Sequence, residues 1–182
     1  MHPRIEELLH YVDDERAKLR AVVDSVPPER RDRAPAEGVW SVAQTVDHLA
    51  ATERRITAML RRTLAEGRAN GLGRETETSS QLDALNPAQF ADRSRKFVGP
   101  TAVAPAGDVK TDAALIALES ARHDFRTAVL EADGLALNDL SAPHPVFGPL
   151  TLYRWIGFIG GHDARHAQQI QEIDRSLQAN PA

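Results

Sequence analysis

Apolar residues recur at intervals of three and four along four stretches of this chain, the spacing that lines one face of an α-helix. The first stretch follows Pro3, carries Ile5, Leu8, Leu9, Val12, Leu19 and Val23, and stops before Pro27 and Pro28. The second opens at Ser41, which with Gln44 has the spacing of a capping box. Its stripe is Val42, Val46, Leu49, Ile56, Leu60 and Leu64, ending near Gly67. The third begins at Thr111 or Asp112, places Leu115, Leu118, Arg122, Phe125 and Val129 in phase, and is closed by Gly134. The fourth follows Gly148 and Pro149 with Thr151 as its cap, and runs to about Ser176. Leu152, Trp155, Ile156, Ile159, His166, Ile170 and Ile173 form its stripe.

Residues 67–110, rich in Gly, Pro, Ser and Asn, join the second stretch to the third, and only 87–96 reads as a short helix there. Such a connection is long for a compact domain. The pattern predicts an all-α protein: a four-helix bundle with a long crossover between the second and third helices, forming a single domain over 1–182.

Composition narrows the function classes. The net charge of -4 gives no general attraction for nucleic acid or for an anionic membrane. Lys18, Lys96 and Lys110 are the only lysines among 22 basic residues, and the arginines are scattered among acids and form no patch. With no Cys there is neither a disulfide framework nor a protein thiolate. No apolar run approaches the ~18 residues that a membrane span needs, and the N-terminus turns acidic at once, so the expected location is the cytoplasm.

The candidate chemistry lies in the histidines. His162 and His166 stand at i and i+4, which projects both imidazoles from one side of a helix, and His166 falls where the stripe calls for Leu or Ile. A polar ring in a core is either hydrogen-bonded or ligated. His48 lies on the flank of the second stripe and faces a neighbouring helix. Three neutral imidazoles holding one divalent ion leave a coordination position for water or substrate. His2, His10 and His123 read as surface residues. His144, before Pro145 in the loop entering the fourth helix, either covers the mouth of the bundle or serves a turn.

Two carboxylates and three glycines complete the candidates. Glu53 sits in the centre of the second stripe, to orient an imidazole, to move a proton, or to pair with Arg122. Asp163 occupies the position of the Glu in the His-Glu-x-x-His zinc pattern, with a shorter reach. Gly157, Gly160 and Gly161 each cost a helix up to about 1 kcal/mol relative to Ala. They call either for very close packing or for a cavity beside the ion. Tyr153, with Trp40 and Trp155, lines such a pocket or packs the core.

Trp40-Ser41 followed by His48-Leu49, and His144-Pro145-Val146-Phe147-Gly148-Pro149-Leu150-Thr151 leading to His162-Asp163-Ala164-Arg165-His166-Ala167-Gln168-Gln169-Ile170, resemble the DinB-like family, which includes the YfiT-type metal-dependent enzymes. The resemblance covers nearly the whole chain. It implies a four-helix bundle, often dimeric, that holds zinc or nickel through His48, His162 and His166. Three functions are open, of which the resemblance implies the first two. The first is a transferase that activates a low-molecular-weight thiol (bacillithiol, mycothiol or glutathione) for attack on a small-molecule electrophile; the second is a hydrolase acting through water. The third is a non-catalytic metal-binding or stress-related module. His144 and Tyr153 are the candidates for binding the thiol, and Asp163 and Glu53 for catalysis.

Overall fold

Each of the four stripes forms a long helix in the computed structural model, which describes residues 1–94, 103–105 and 107–179. They are α1 (Pro3–Ser25), α3 (Val42–Ala69), α6 (Thr111–Glu131) and α7 (Leu152–Ala179). The end of α7 lies three residues beyond the expected Ser176. Their starts follow local chemistry. In α3 the Ser41 side chain accepts from the Gln44 N–H and the Gln44 side chain accepts from the Ser41 N–H, a complete capping box. Thr151 Oγ1 accepts from the Arg154 N–H at the head of α7, at 3.4 Å. Gly134, with φ +73, turns the chain out of α6.

The bundle pairs α1 with α7 and α3 with α6. Between α1 and α3 lies the single turn α2 (Pro28–Arg31). The crossover from α3 to α6 contributes two short helices, α4 (Gln81–Leu85) and α5 (Ala88–Ala91), where one helix over 87–96 was expected. Asn86 breaks them apart in the left-handed region, with φ 47. Residues 95 and 96 of that expectation lie outside the described part of the chain. An element without a helical signal precedes α7: Leu137–Asp139 forms a 3-10 turn, then β1 (Ser141–His144) and β2 (Gly148–Thr151) pair as an antiparallel hairpin. Among the described residues no helix is long and apolar enough to cross a membrane.

The core divides into two apolar clusters stacked along the bundle. Ile5, Leu8, Val12, Ile56, Leu60, Phe125, Tyr153 and Ile156 belong to the cluster at the hairpin end. Leu19, Val23, Val46, Leu49, Leu118, Ile170 and Ile173 belong to the other. Between them each long helix inserts one charged residue: Arg16, Glu53, Arg122 and Asp163, with exposures of 7%, 2%, 6% and 1%. Arg16 donates from Nη2 to Glu53 Oε2 at 2.6 Å and from Nε to Asp163 Oδ2 at 2.9 Å. Arg122 donates from Nε to Glu53 Oε1 at 2.6 Å and from Nη2 to Asp163 Oδ2 at 3.0 Å. Asp163 Oδ1 accepts a further bond from Arg16 Nη2 at 3.2 Å, so all four carboxylate oxygens are engaged. Burial alone pulls the Arg16 pKa down, but Asp163 and Glu53 outweigh it and hold the guanidinium above its ordinary value.

The glycines of α7 serve close packing. A Cβ on Gly157 would stand 2.1 Å from a Leu85 methyl, one on Gly160 2.5 Å from the Tyr11 ring, and one on Gly161 2.5 Å from Phe90 Cβ. The missing side chains therefore let α1, α4 and α5 lie against the helix that carries His162 and His166, and of the two alternatives close packing is the one observed. Tyr153 also departs from the expectation of a pocket beside the histidines. Its hydroxyl donates to Glu75 Oε2 at 3.0 Å, an oxygen that Arg4 Nη1 also reaches at 2.8 Å. A tyrosine only 1% exposed at the hairpin end of α7 needs such a partner, and the pair anchors the start of the crossover.

Candidate metal centre

His48 on α3 and His162 and His166 on α7 come together as a group whose ligand atoms all lie within 4.8 Å of one another. His162 Nε2 stands 3.1 Å from His166 Nε2 and 3.4 Å from His48 Nε2. Ligands bonded to one tetrahedral ion at 2.0–2.1 Å are separated by about 3.3 Å, so these two spacings match a shared ion. His48 and His166 are buried, each 6% exposed, while His162 at the margin of the group is less deeply covered.

The outer nitrogens settle the tautomers. His48 Nδ1 lies 2.7 Å from the carbonyl oxygen of Val103, which only accepts, so Nδ1 carries the hydrogen and Nε2 presents a lone pair. His166 Nδ1 lies 2.9 Å from Gln169 Oε1 and is protonated in the same way. Only a hydrogen on His162 Nε2 is then left for the cluster, and one hydrogen cannot lie on both close Nε2···Nε2 lines. A cation bonded to all three nitrogens removes this conflict, and on that ground the residues fit a divalent metal ion. Burial holds His48 below the ordinary imidazole pKa. For His162 and His166 burial comes first and the neighbouring imidazoles add to it, taking both well below that value. Each of these shifts favours the neutral ring, the form that ligates.

The other expected residues fall elsewhere. Glu53 and Asp163 take part in the ion quartet with Arg16 and Arg122 rather than pointing a free oxygen at the imidazoles; the pairing of Glu53 with Arg122 is the observed outcome. Among the described residues no fourth His, Cys, Asp or Glu joins the three-His group. His144 reaches its neighbourhood through aromatic rings: its centroid is 4.9 Å from that of Phe158, which stacks on His162 at 5.2 Å. Its Nδ1 accepts from the N–H groups of Val146 and Phe147 at 3.1 and 3.2 Å, which makes Nε2 the N–H of the ring. Burial lowers its pKa to about 4. His144 thus serves its own turn and also stands at the edge of the aromatic cluster beside the centre. His10 and His123 are exposed, as expected, and His2 caps α1.

Sequence patterning missed three participants. Arg16 is in helical phase with Val12 and Leu19, and a charge in that phase was a legible signal. Gln169 stands one turn beyond His166, where its side chain can reach the ring. Val103 acts through its carbonyl, which no side-chain pattern reveals.

A bundle that gathers three neutral imidazoles from two helices defines a class of helical proteins with a candidate metal site between facing helices. The chain belongs to the DinB superfamily, whose family profile matches residues 11–170. Over 153 residues it is 29% identical to the uncharacterized protein YuaE of Bacillus subtilis (strain 168), covering 82% of this chain and 86% of that one. Two solved structures share the fold. TT2238, described as a four-helix bundle protein, is 21% identical with a TM-score of 0.58, covering 92% of this chain and 98% of its own. An uncharacterised protein from Escherichia coli UTI89 is 17% identical with a TM-score of 0.52, covering 99% and 96%.

Proposed function

We propose that this chain is a divalent-metal-dependent enzyme that uses His48, His162 and His166 as ligands, zinc or nickel as the ion, and a low-molecular-weight thiol as the group transferred to a small electrophilic substrate. The observation that carries the reading is the convergence of three Nε2 atoms, with the outer nitrogens of His48 and His166 held by Val103 and Gln169. An ion bound there supplies Lewis acidity at its open position, lowering the pKa of a thiol so that it reacts at neutral pH. The chain's own part is to keep three neutral donors in place, with Phe158 stacked on His162 and His144 packed on Phe158 as the aromatic surface beside them. In the transfer the thiol gives its proton to solvent, its sulfur forms a bond to the electrophilic carbon, and the leaving group departs with the electron pair of the broken bond.

A hydrolytic reading uses the same open position for water, but it calls for a base beside that water. Both carboxylates that the sequence offers have their oxygens bonded to Arg16 and Arg122, which favours a nucleophile brought in already acidic, a thiol. The reading carries a reducing compartment with it, the cytoplasm.

The test starts from protein purified without a His-tag. One ion per chain by elemental analysis, lost in His166→Ala, followed by thiol-dependent consumption of an electrophile such as 1-chloro-2,4-dinitrobenzene, is the expected result. Full metal occupancy with turnover of esters or amides and no thiol dependence would replace transfer by hydrolysis. Full occupancy with neither activity would leave a non-catalytic metal-binding module.

A further inference from the structure

The crossover touches the centre at two points. Val103 places its carbonyl on His48 Nδ1. Arg93 reaches Gln169 Oε1 with Nη1 at 3.4 Å, the same oxygen that meets His166 Nδ1. Arg93 is itself fixed by Glu172, Nε to Oε1 at 2.9 Å and Nη2 to Oε2 at 2.5 Å. Just ahead of Arg93 the crossover is seated on α7: Phe90 is 2% exposed and lies over Gly161, and Arg165 Nη1 donates to the Asp92 carbonyl. The Arg93 guanidinium can only donate, so it turns the oxygen of Gln169 rather than its NH2 group toward itself, and that oxygen in turn fixes the hydrogen of His166 on Nδ1.

We propose that Gln169 is a positioning residue for the centre, and that Arg93 and Val103 make the ligating geometry depend on the docked crossover. This rests on the reading of His48, His162 and His166 as ligands. A neutral imidazole without an outer acceptor divides between two tautomers, only one of which turns a lone pair toward its neighbours, and its ring rotates more freely. Groups in this position typically tune metal affinity 10–100-fold. Linkage makes the effect reciprocal: the factor by which a docked crossover tightens the ion is the factor by which the ion favours docking.

The test compares wild type with Gln169→Ala, Gln169→Glu and Arg93→Ala in the full chain, with Zn(II) as the probe. Zn(II) affinity is measured by competition with a chromophoric chelator, the His166 tautomer of metal-free protein by 15N NMR, and amide exchange over 85–92 with and without the ion. Gln169→Ala is expected to weaken Zn(II) about 10–100-fold and to shift the metal-free His166 away from pure Nδ1–H. Gln169→Glu keeps an acceptor for both His166 and Arg93 and is expected to retain wild-type affinity, a rescue that a merely structural role would not produce. In wild type Zn(II) is expected to slow exchange over 85–92, and Arg93→Ala to lose that slowing together with several-fold affinity. Unchanged affinity and tautomer in Gln169→Ala, with wild type binding one ion, would overturn this proposal alone. No ion bound by wild type, with the tautomer still shifting in Gln169→Ala, would overturn the metal reading and leave Gln169 as the group that sets His166. Should Gln169→Ala fail to fold, Arg93→Ala decides on the same readouts, and equal affinity and exchange there would sink the coupling.

Discussion

Arg16 and Asp163, 147 positions apart in the chain, meet in the middle of the bundle with Nε 2.9 Å from Oδ2, one residue from the candidate ligand His162. With Glu53 and Arg122 they form a charged layer between two apolar clusters, one residue from each long helix. Formal charge within the quartet is balanced, and the geometry engages every carboxylate oxygen. A layer of this kind adds little net stability over an apolar core, but it admits one register of the four helices and so fixes the height of His48 against His162 and His166.

Breaking the layer is therefore costly. Asp163→Asn removes the charge that faces both guanidinium groups, and loss of one partner in a buried ion cluster costs about 3–5 kcal/mol. Urea denaturation is expected to show a loss in that range. A loss below about 1 kcal/mol would mean that water reaches the layer and solvates the two arginines.

Much of this was legible in the sequence. The stripes located all four helices because α3 and α7 have strong amphipathic signals and local caps, and the i, i+4 spacing put His162 and His166 on one face. Glu53 and Arg122 stood out as charges in apolar phase and their pairing was one expectation, but bringing Asp163 and Arg16 into the same layer demanded knowing which helices are neighbours, and a one-dimensional pattern carries no such information. The hairpin escaped notice because β1 and β2 hold four residues each, with Pro143 facing Pro149, and neither shows an alternating apolar pattern. Val103 was invisible for a simpler reason: its contribution is a main-chain oxygen.

Ion binding should register in stability and in one fluorophore. The Trp40 ring centroid is 5.0 Å from that of His48, whereas Trp155 lies 5.1 Å from His144. Zn(II) at 100 times its dissociation constant is expected to stabilise the fold by about 2.7 kcal/mol, reversibly with EDTA, and to change Trp fluorescence. The fluorescence change should disappear in Trp40→Phe and persist in Trp155→Phe. A signal that follows Trp155 instead would put the ion near His144.

Gly157 and Gly161 of α7 should rank by what their new methyl meets. Alanine gains a helix about 1 kcal/mol over glycine in intrinsic propensity, whereas overpacking a core costs about 1–3 kcal/mol. At Gly157 the obstacle is a Leu85 methyl, which can rotate away; at Gly161 it is Phe90 Cβ, which cannot move without its backbone. Gly157→Ala is expected to be close to neutral and Gly161→Ala to be destabilising by about 1–3 kcal/mol, read by thermal or urea denaturation. Equal effects at both sites would show that α5 shifts as readily as a leucine side chain.

His144 gives the fold a defined acid sensitivity. Burial beside Phe147, Trp155 and Phe158 lowers its pKa to about 4, while the unfolded chain returns it to about 6.5. Between those values the unfolded state binds a proton that the folded state does not, so stability rises with pH across that window and falls as the solution is acidified from about 6.5 toward 4. Above pH 6.5 the ring is neutral in both states and contributes no pH dependence. His144 is half-buried, so its share is discounted to about 1 kcal/mol. The buried imidazoles His48, His162 and His166 act with the same sign, and the comparison that isolates His144 is the difference between wild type and His144→Gln, measured by urea denaturation of metal-free protein from pH 7 to pH 4. Wild type is expected to lose about 1 kcal/mol more than the variant over that range. Parallel curves would mean that the turn opens and lets the ring protonate without cost, leaving the N–H groups of Val146 and Phe147 to water.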